Sequence, residues 1–188
     1  MKHSMEVNSS EISGLLFYDM NLYQDKRGFF TRNFCSDTIN KMGGFGEVSQ
    51  ANLSYNTDTG TIRGFHFQIN GSEEAKTVTV LKGSLHYKVI DLRKTSQTYL
   101  KYTSFKLTAI NQVVQIPKGC APGFQTLEND TLLHYYVSNS YSQENESGIR
   151  YNDPYFNFEW PLKNITVSER DSNFPDFNSK NFKGLNSI

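Results

Sequence analysis

The chain of 188 residues predicts an all-β fold, a jelly-roll β-sandwich with a few short helices, on three observations. Short runs of alternating apolar and polar residues recur through the middle of the sequence. Clusters of Gly, Pro, Asn and Asp separate these runs at regular intervals, the pattern of a sandwich or barrel. No helical segments are available to cover the faces of a parallel sheet, which favours the jelly roll over an open sheet. The composition agrees: 14 Phe and 11 Tyr bring aromatics to 14%, rich for a helical bundle and natural for a pleated surface.

In chain order, the first ten residues are polar and are expected to be loose. A short helix is predicted from Ser36, read as its N-cap, to Met42, where Gly43-Gly44 stops it. Thr61 to Gln68 reads as one alternating strand. Lys76 to Leu81 alternates and meets a turn at Lys82-Gly83; Ser84 to Asp91 alternates again, with Leu85, Tyr87 and Val89 on one face. Further strands are predicted over Tyr99–Leu107, Gln112–Ile116, Phe124–Leu127 and Thr131–Ser138. Turns separate them at Ala109–Asn111, Pro117–Gly119 and Glu128–Asp130. From Ser172 onward Phe174, Phe177 and Phe182 alternate with Asn, Ser and Lys, as in a tail that wraps a surface. No repeat, linker or low-complexity tract divides the chain, so a single domain over residues 1–188 is expected, long enough for a substantial core.

Charge is balanced, 19 Lys+Arg against 19 Asp+Glu, which favours neither nucleic acid nor an anionic membrane as partner. Cys35 and Cys120 stand 85 positions apart, in no metal-ligand spacing. With no signal peptide or long apolar run, they read as reduced thiols of a cytoplasmic protein.

Of the four histidines, His3 is expected to be disordered, and His86 and His134 sit in strand patterns without a recognisable partner. His66 lies beside Arg63 in an alternating run; by residue type alone a structural histidine is the commoner reading. A metal site is not expected. His66 is followed by Phe67 and Gln68, the later segment offers Pro122, and too few nitrogen or oxygen ligands converge.

Seven short motifs carry a resemblance. They are Asp25-Lys26-Arg27-Gly28-Phe29-Phe30, Asn52-Leu53-Ser54, Arg63-Gly64-Phe65-His66-Phe67-Gln68, Asp91-Leu92-Arg93, Pro117-Lys118-Gly119, Gly148-Ile149-Arg150-Tyr151-Asn152-Asp153-Pro154 and Trp160-Pro161. Each is weak alone. In this order, over about residue 15 to residue 171, they resemble the dTDP-4-dehydrorhamnose 3,5-epimerase family, which acts on nucleotide-linked 4-keto sugars. The resemblance implies a cupin-type jelly roll, usually a homodimer, working without metal or other cofactor.

It also implies roles. The 4-keto group acidifies the C–H bonds at C3 and C5, so a base can remove a proton and an acid can return one to the opposite face. His66 matches the family's base, a task suited to a neutral imidazole. Asp171 matches the carboxylate that orients that imidazole. Tyr135 aligns with the general acid, although an aromatic in a strand is more often packing. Lys76 aligns with the cation that holds charge developing on the C4 oxygen; the plainer alternative is an exposed strand-start lysine. Arg63 and Arg27 resemble diphosphate clamps, with an ordinary surface ion pair as the alternative. Phe30, Gln50, Asn52 and Glu146 fall at nucleotide or sugar contacts.

Two departures stand out. Pro122 occupies the place of a second family histidine and can neither donate a hydrogen bond nor carry a proton. The expected activity is therefore epimerisation at C3 and/or C5. The alternatives are a single-carbon epimerase, a ketoisomerase, and a catalytically silent nucleotide-sugar-binding protein. Arg32 stands near an acid that many members use toward thymine. Its donors suit cytosine or guanine better, pointing to a CDP or GDP carrier unless Arg32 simply faces solvent.

Overall fold

The computed structural model describes residues 8–9, 11–108 and 110–186. The expected looseness of residues 1–7 and 10, and His3 with it, falls outside the described residues. Asn8–Ser9, expected to be loose, instead forms β1 and pairs antiparallel with β2 (Leu16–Asp19). β3 (Leu22–Asp25) and β4 (Gly28–Thr31) form an exposed hairpin, and α1 (Ser36–Lys41) follows. Its N-cap is Cys35 rather than Ser36, which is already helical; Gly43, at φ 81°, ends the helix.

The sandwich strands are β5 (Gln50–Asn56), β6 (Ile62–Gly64), β7 (His66–Gln68), β8 (Lys76–Lys82), β9 (Leu85–Asp91), β10 (Tyr102–Leu107), β11 (Gln112–Ile116), β12 (Cys120–Thr126), β13 (Thr131–Val137) and β14 (Glu146–Gly148). A six-stranded sheet runs β1-β2-β11-β8-β13-β5 and a four-stranded sheet runs β10-β9-β12-β6; the ribbon β14-β7 continues beside the latter. Every ladder is antiparallel, as the jelly-roll expectation requires.

Alternation explains the layers. Val78 and Val80 of β8, Leu85, Tyr87 and Val89 of β9, and Val114 and Ile116 of β11 point between the sheets and make the central core. The opposite faces are covered as well. Ile39 of α1 and Met42, its C-cap, lie over Tyr18 and Val113. Ile90, Leu92 and Ala121 meet Ile149, Phe156 and Trp160 from the long C-terminal excursion. The segment after α2 (Glu169–Ser172) brings Phe177 and Phe182 onto this second cluster, and Leu185, buried, exchanges backbone hydrogen bonds with Leu92 and Lys94.

Two strand boundaries differ from expectation. Tyr99–Lys101 is turn, not strand, with Leu100 at φ 60° and Lys101 N–H donating to the Thr98 carbonyl. β12 starts at Cys120 rather than Phe124, so Pro122 lies inside a strand, opposite Val89. Its ladder with β6 begins only at Gly123.

Candidate active site

The predicted strand through Arg63 and His66 is in fact two. β6 pairs with β12, β7 pairs with β14, and between them Phe65 exchanges both backbone hydrogen bonds with Ile149. Strict alternation would place Arg63 and His66 on opposite faces. The break lets both line one cavity. Gly64 makes the break feasible. It sits at φ 117°, and a Cβ there would lie 2.5 Å from the Gly123 Cα, so only glycine allows the two backbones to approach.

Asp171 is delivered from far along the chain. Ser168 caps α2, its hydroxyl accepting from the Asp171 N–H at 3.1 Å. The carboxylate is buried, with Oδ1 2.7 Å from His66 Nε2 and Oδ2 accepting from the Gly64 N–H at 3.2 Å. Burial alone would raise its pKa. The hydrogen bond and charge of His66, the Gly64 N–H and nearby Arg170 outweigh burial and hold it below the ordinary value. A carboxylate accepts only, so Nε2 carries the proton and Nδ1 is left with the lone pair. Phe174 packs edge-on against the imidazole at 6.1 Å.

Lys76 and Tyr135 come from neighbouring strands β8 and β13; Tyr135 stands opposite Val78 on one side and Asn52 on the other. Lys76 Nζ lies 3.1 Å from Glu74 Oε1 and donates to the His66 carbonyl at 3.3 Å. Gln68 Nε2 donates to the other Glu74 oxygen at 2.5 Å. Tyr135 is half-buried. Burial raises its pKa, Arg63 partly offsets this, and Glu74 adds to it; the net shift is above the ordinary 10.0, so the phenol keeps its proton at neutral pH.

His66, Lys76 and Tyr135 stand at the junction of two lobes of about 330 and 400 Å³. Gln50, Asn52 and Glu146 line the first, and Arg63 and Pro122 the second. Arg63 is held by its Nε donating to Asn56 Oδ1 at 2.8 Å. Three predicted residues are not brought there within the chain. Arg27 is exposed on the β3–β4 hairpin and paired with Asp25 at 2.5 Å; Phe30 is 60% exposed on the same hairpin. Arg32 faces a separate surface cavity near Cys35 and Thr38. Periodicity within a hairpin says nothing of what the hairpin reaches.

Several lining residues went unremarked in the sequence. Glu74 was findable only as an acid close to Lys76 in sequence, since it precedes β8 and the ion pair with Lys76 is made from the loop. Tyr141, whose hydroxyl donates to Glu146 Oε2 at 2.5 Å, carried no local signal, nor did Arg170, which lines neither lobe but pairs with Glu146. His86 packs on Trp160, and His134 lies against Tyr136 and within 3.5 Å of Asn33. Among the described residues no group of three or more His, Cys, Asp or Glu could hold a metal ion, and no helix is long and apolar enough to cross a membrane.

Known proteins resemble this chain throughout. The family model described as dTDP-4-dehydrorhamnose 3,5-epimerase matches residues 9–179. The Shigella flexneri protein of that name is 33% identical over 175 residues, covering 92% of this chain and 96% of its own. The Bacillus anthracis enzyme, solved with TDP and pyrophosphate bound, superposes with a TM-score of 0.88 at 32% identity, over 93% of this chain and 100% of its own. The Legionella pneumophila enzyme, solved in complex with dTDP-4-keto-L-rhamnose, gives 0.83 at 29%, over 90% of each chain. Agreement in sequence and in fold over nearly its whole length makes this chain a member of the dTDP-4-dehydrorhamnose 3,5-epimerase family, and a sugar-nucleotide epimerase.

Proposed function

We propose that the chain epimerises C3 and C5 of a nucleoside-diphosphate-linked 4-keto-6-deoxy sugar through an enolate. The observation that carries this reading is the His66–Asp171 pair, 2.7 Å apart, at the edge of a cavity shared with Lys76 and Tyr135. His66 Nδ1 takes the proton as the C–H bond breaks, and its electrons pass through the new C=C bond onto O4. The Lys76 ammonium holds that negative charge. The Tyr135 O–H bond then breaks as its proton forms the new C–H bond on the opposite face. Proton return from imidazolium to phenolate through solvent restores both groups. Asp171 orients the imidazole and stabilises its charged form.

Arg63 holds the diphosphate, with Gln50, Asn52 and Glu146 along the adjoining lobe. A homodimer accounts for the remaining three residues. The β3–β4 hairpin exposes Phe29 at 53% and Phe30 at 60%, and edge strand β5 exposes Leu53 at 67%. A second copy would cover these apolar groups and receive Arg27, Phe30 and Arg32 at its own cavity. The reading includes a single domain, a cytoplasmic setting and a place in making a deoxysugar for a surface polysaccharide.

Incubation in D₂O with dTDP-4-keto-6-deoxyglucose, followed by proton NMR, tests it. Deuterium at C3 and C5 is expected, with exchange eliminated in His66→Asn while the affinity for dTDP stays nearly intact. Unchanged exchange in His66→Asn would sink the assignment.

A further inference from the structure

A second phenol lines the cavity and has no part in the chemistry above. Tyr87 of β9 stacks on Phe105 at 5.5 Å and on Phe124 at 5.9 Å. The residue is 4% exposed, yet it borders the second lobe together with Pro122 and Phe124. No hydrogen bond reaches its hydroxyl among the described residues. Nor is that oxygen one of the sealed, unpartnered polar atoms, as the Tyr18 hydroxyl is; the small exposure it keeps opens to the cavity it lines. A phenol oxygen held this way, on an apolar wall but open to the cavity, is left for water or a ligand to pair with.

The surroundings say what kind of ligand. Phe124 stands opposite Tyr87 in the β9–β12 ladder and Pro122 opposite Val89. On this wall neither Pro122 nor Phe124 offers a side-chain donor, and Tyr87 does. Tyr135 is its close neighbour. Burial first, and the charge Tyr135 would carry second, raise the Tyr87 pKa well above that of a free phenol, which keeps it a donor. Tyr87 lines the second lobe next to Tyr135, which stands at the junction where the reacting ring must lie, so its donor meets the sugar end of the ligand rather than the base.

We propose that Tyr87 is a sugar-contacting, specificity-determining residue whose hydroxyl donates a hydrogen bond to an oxygen of the hexopyranose held between His66, Lys76 and Tyr135. This rests on the epimerase reading of the same cavity. It supplies from β9 a donor that Pro122 cannot supply from β12, and it fixes which α-carbon His66 meets first.

Tyr87→Phe tests this, since it removes only the oxygen and keeps the stacked ring. Calorimetry with dTDP and with dTDP-quinovose, a 6-deoxy sugar conjugate without a ketone, separates sugar from nucleotide. The Kd for dTDP-quinovose is expected to rise about tenfold, as for one lost hydrogen bond. The Kd for dTDP should not move, and the melting temperature of the free protein should stay level or rise. With dTDP-4-keto-6-deoxyglucose in D₂O, the ratio of deuterium at C3 to C5 should change. Unchanged Kd values and an unchanged ratio overturn the proposal. So does weakening toward both ligands with a lower melting temperature, which marks a structural role. If the wild type shows no exchange while Tyr87→Phe still loses affinity for dTDP-quinovose alone, the epimerase reading falls and the sugar contact stands.

Discussion

The two lobes of the cavity differ in how their polar atoms are spent. In the first lobe they are tied to one another. Gln68 bonds Glu74, Glu74 holds Lys76, Gln50 Oε1 accepts from the Tyr141 N–H at 2.6 Å, and Tyr141 and Arg170 both hold Glu146. In the second lobe Arg63 is tied to Asn56 and Tyr55 to Asp130, but Pro122, Phe124 and Leu133 are apolar, and among the described residues no hydrogen bond reaches the hydroxyl of Tyr87 or that of Tyr135 at the junction. The first is a pre-organised frame that fixes where Lys76 sits. The second leaves its two phenol donors open to a substrate. Satisfied networks position; unsatisfied donors recognise.

That contrast can be broken at the junction, in the frame, and in acid, in falling order of effect. Asp171→Asn removes the carboxylate behind the base, and an amide there can favour the wrong imidazole tautomer. Solvent exchange is expected to fall by about 10⁴-fold, measured by deuterium incorporation, with dTDP affinity retained; a loss below about tenfold would detach Asp171 from the chemistry. Glu74→Gln loosens the frame alone. Turnover should drop about 10- to 100-fold, the worth of one charge-assisted hydrogen bond, with little change in KM. A larger rise in KM than fall in kcat would place Glu74 in substrate binding instead.

The smallest effect is on acid stability. The Asp171 pKa is lowered in the folded protein from an ordinary 3.8, so below that value the unfolded chain binds more protons than the folded one. Its stabilisation is complete above pH 3.8 and is lost as pH falls through the folded value. Urea midpoints measured between pH 6 and about pH 3 should therefore fall less steeply for Asp171→Asn than for the wild type.

Much of the sandwich was readable because a half-buried strand writes its faces in alternation. Alternation places β8, β9, β11 and β13 to within a residue or so of their bounds in the structure. β12 was harder: all seven of its residues are buried, so it shows no alternation, and Pro122-Gly123 imitates a turn. The N-cap moved from Ser36 to Cys35 because a capping signal one residue off looks the same in one dimension. In the cavity, His66 stands within a family motif and Lys76, Tyr135 and Asp171 follow from the resemblance, whereas Tyr87 shows in the sequence only as part of one face of an alternating strand.

Residue order alone determined the strand set, the absence of long helices, and the residue types that reach the site. Only the folded chain decided their geometry, because the decisive contacts are long-range. The break at Phe65 turns Arg63 and His66 to one cavity, and it depends on Gly64 meeting Gly123 from a distant strand. Asp171 reaches His66 across 105 positions. Among the described residues no hydrogen bond reaches the Tyr87 hydroxyl, and β12 places Phe124, which has no polar side-chain atom, opposite it. Local periodicity encodes which face a side chain takes; which partner waits on that face is set by packing between segments far apart in sequence.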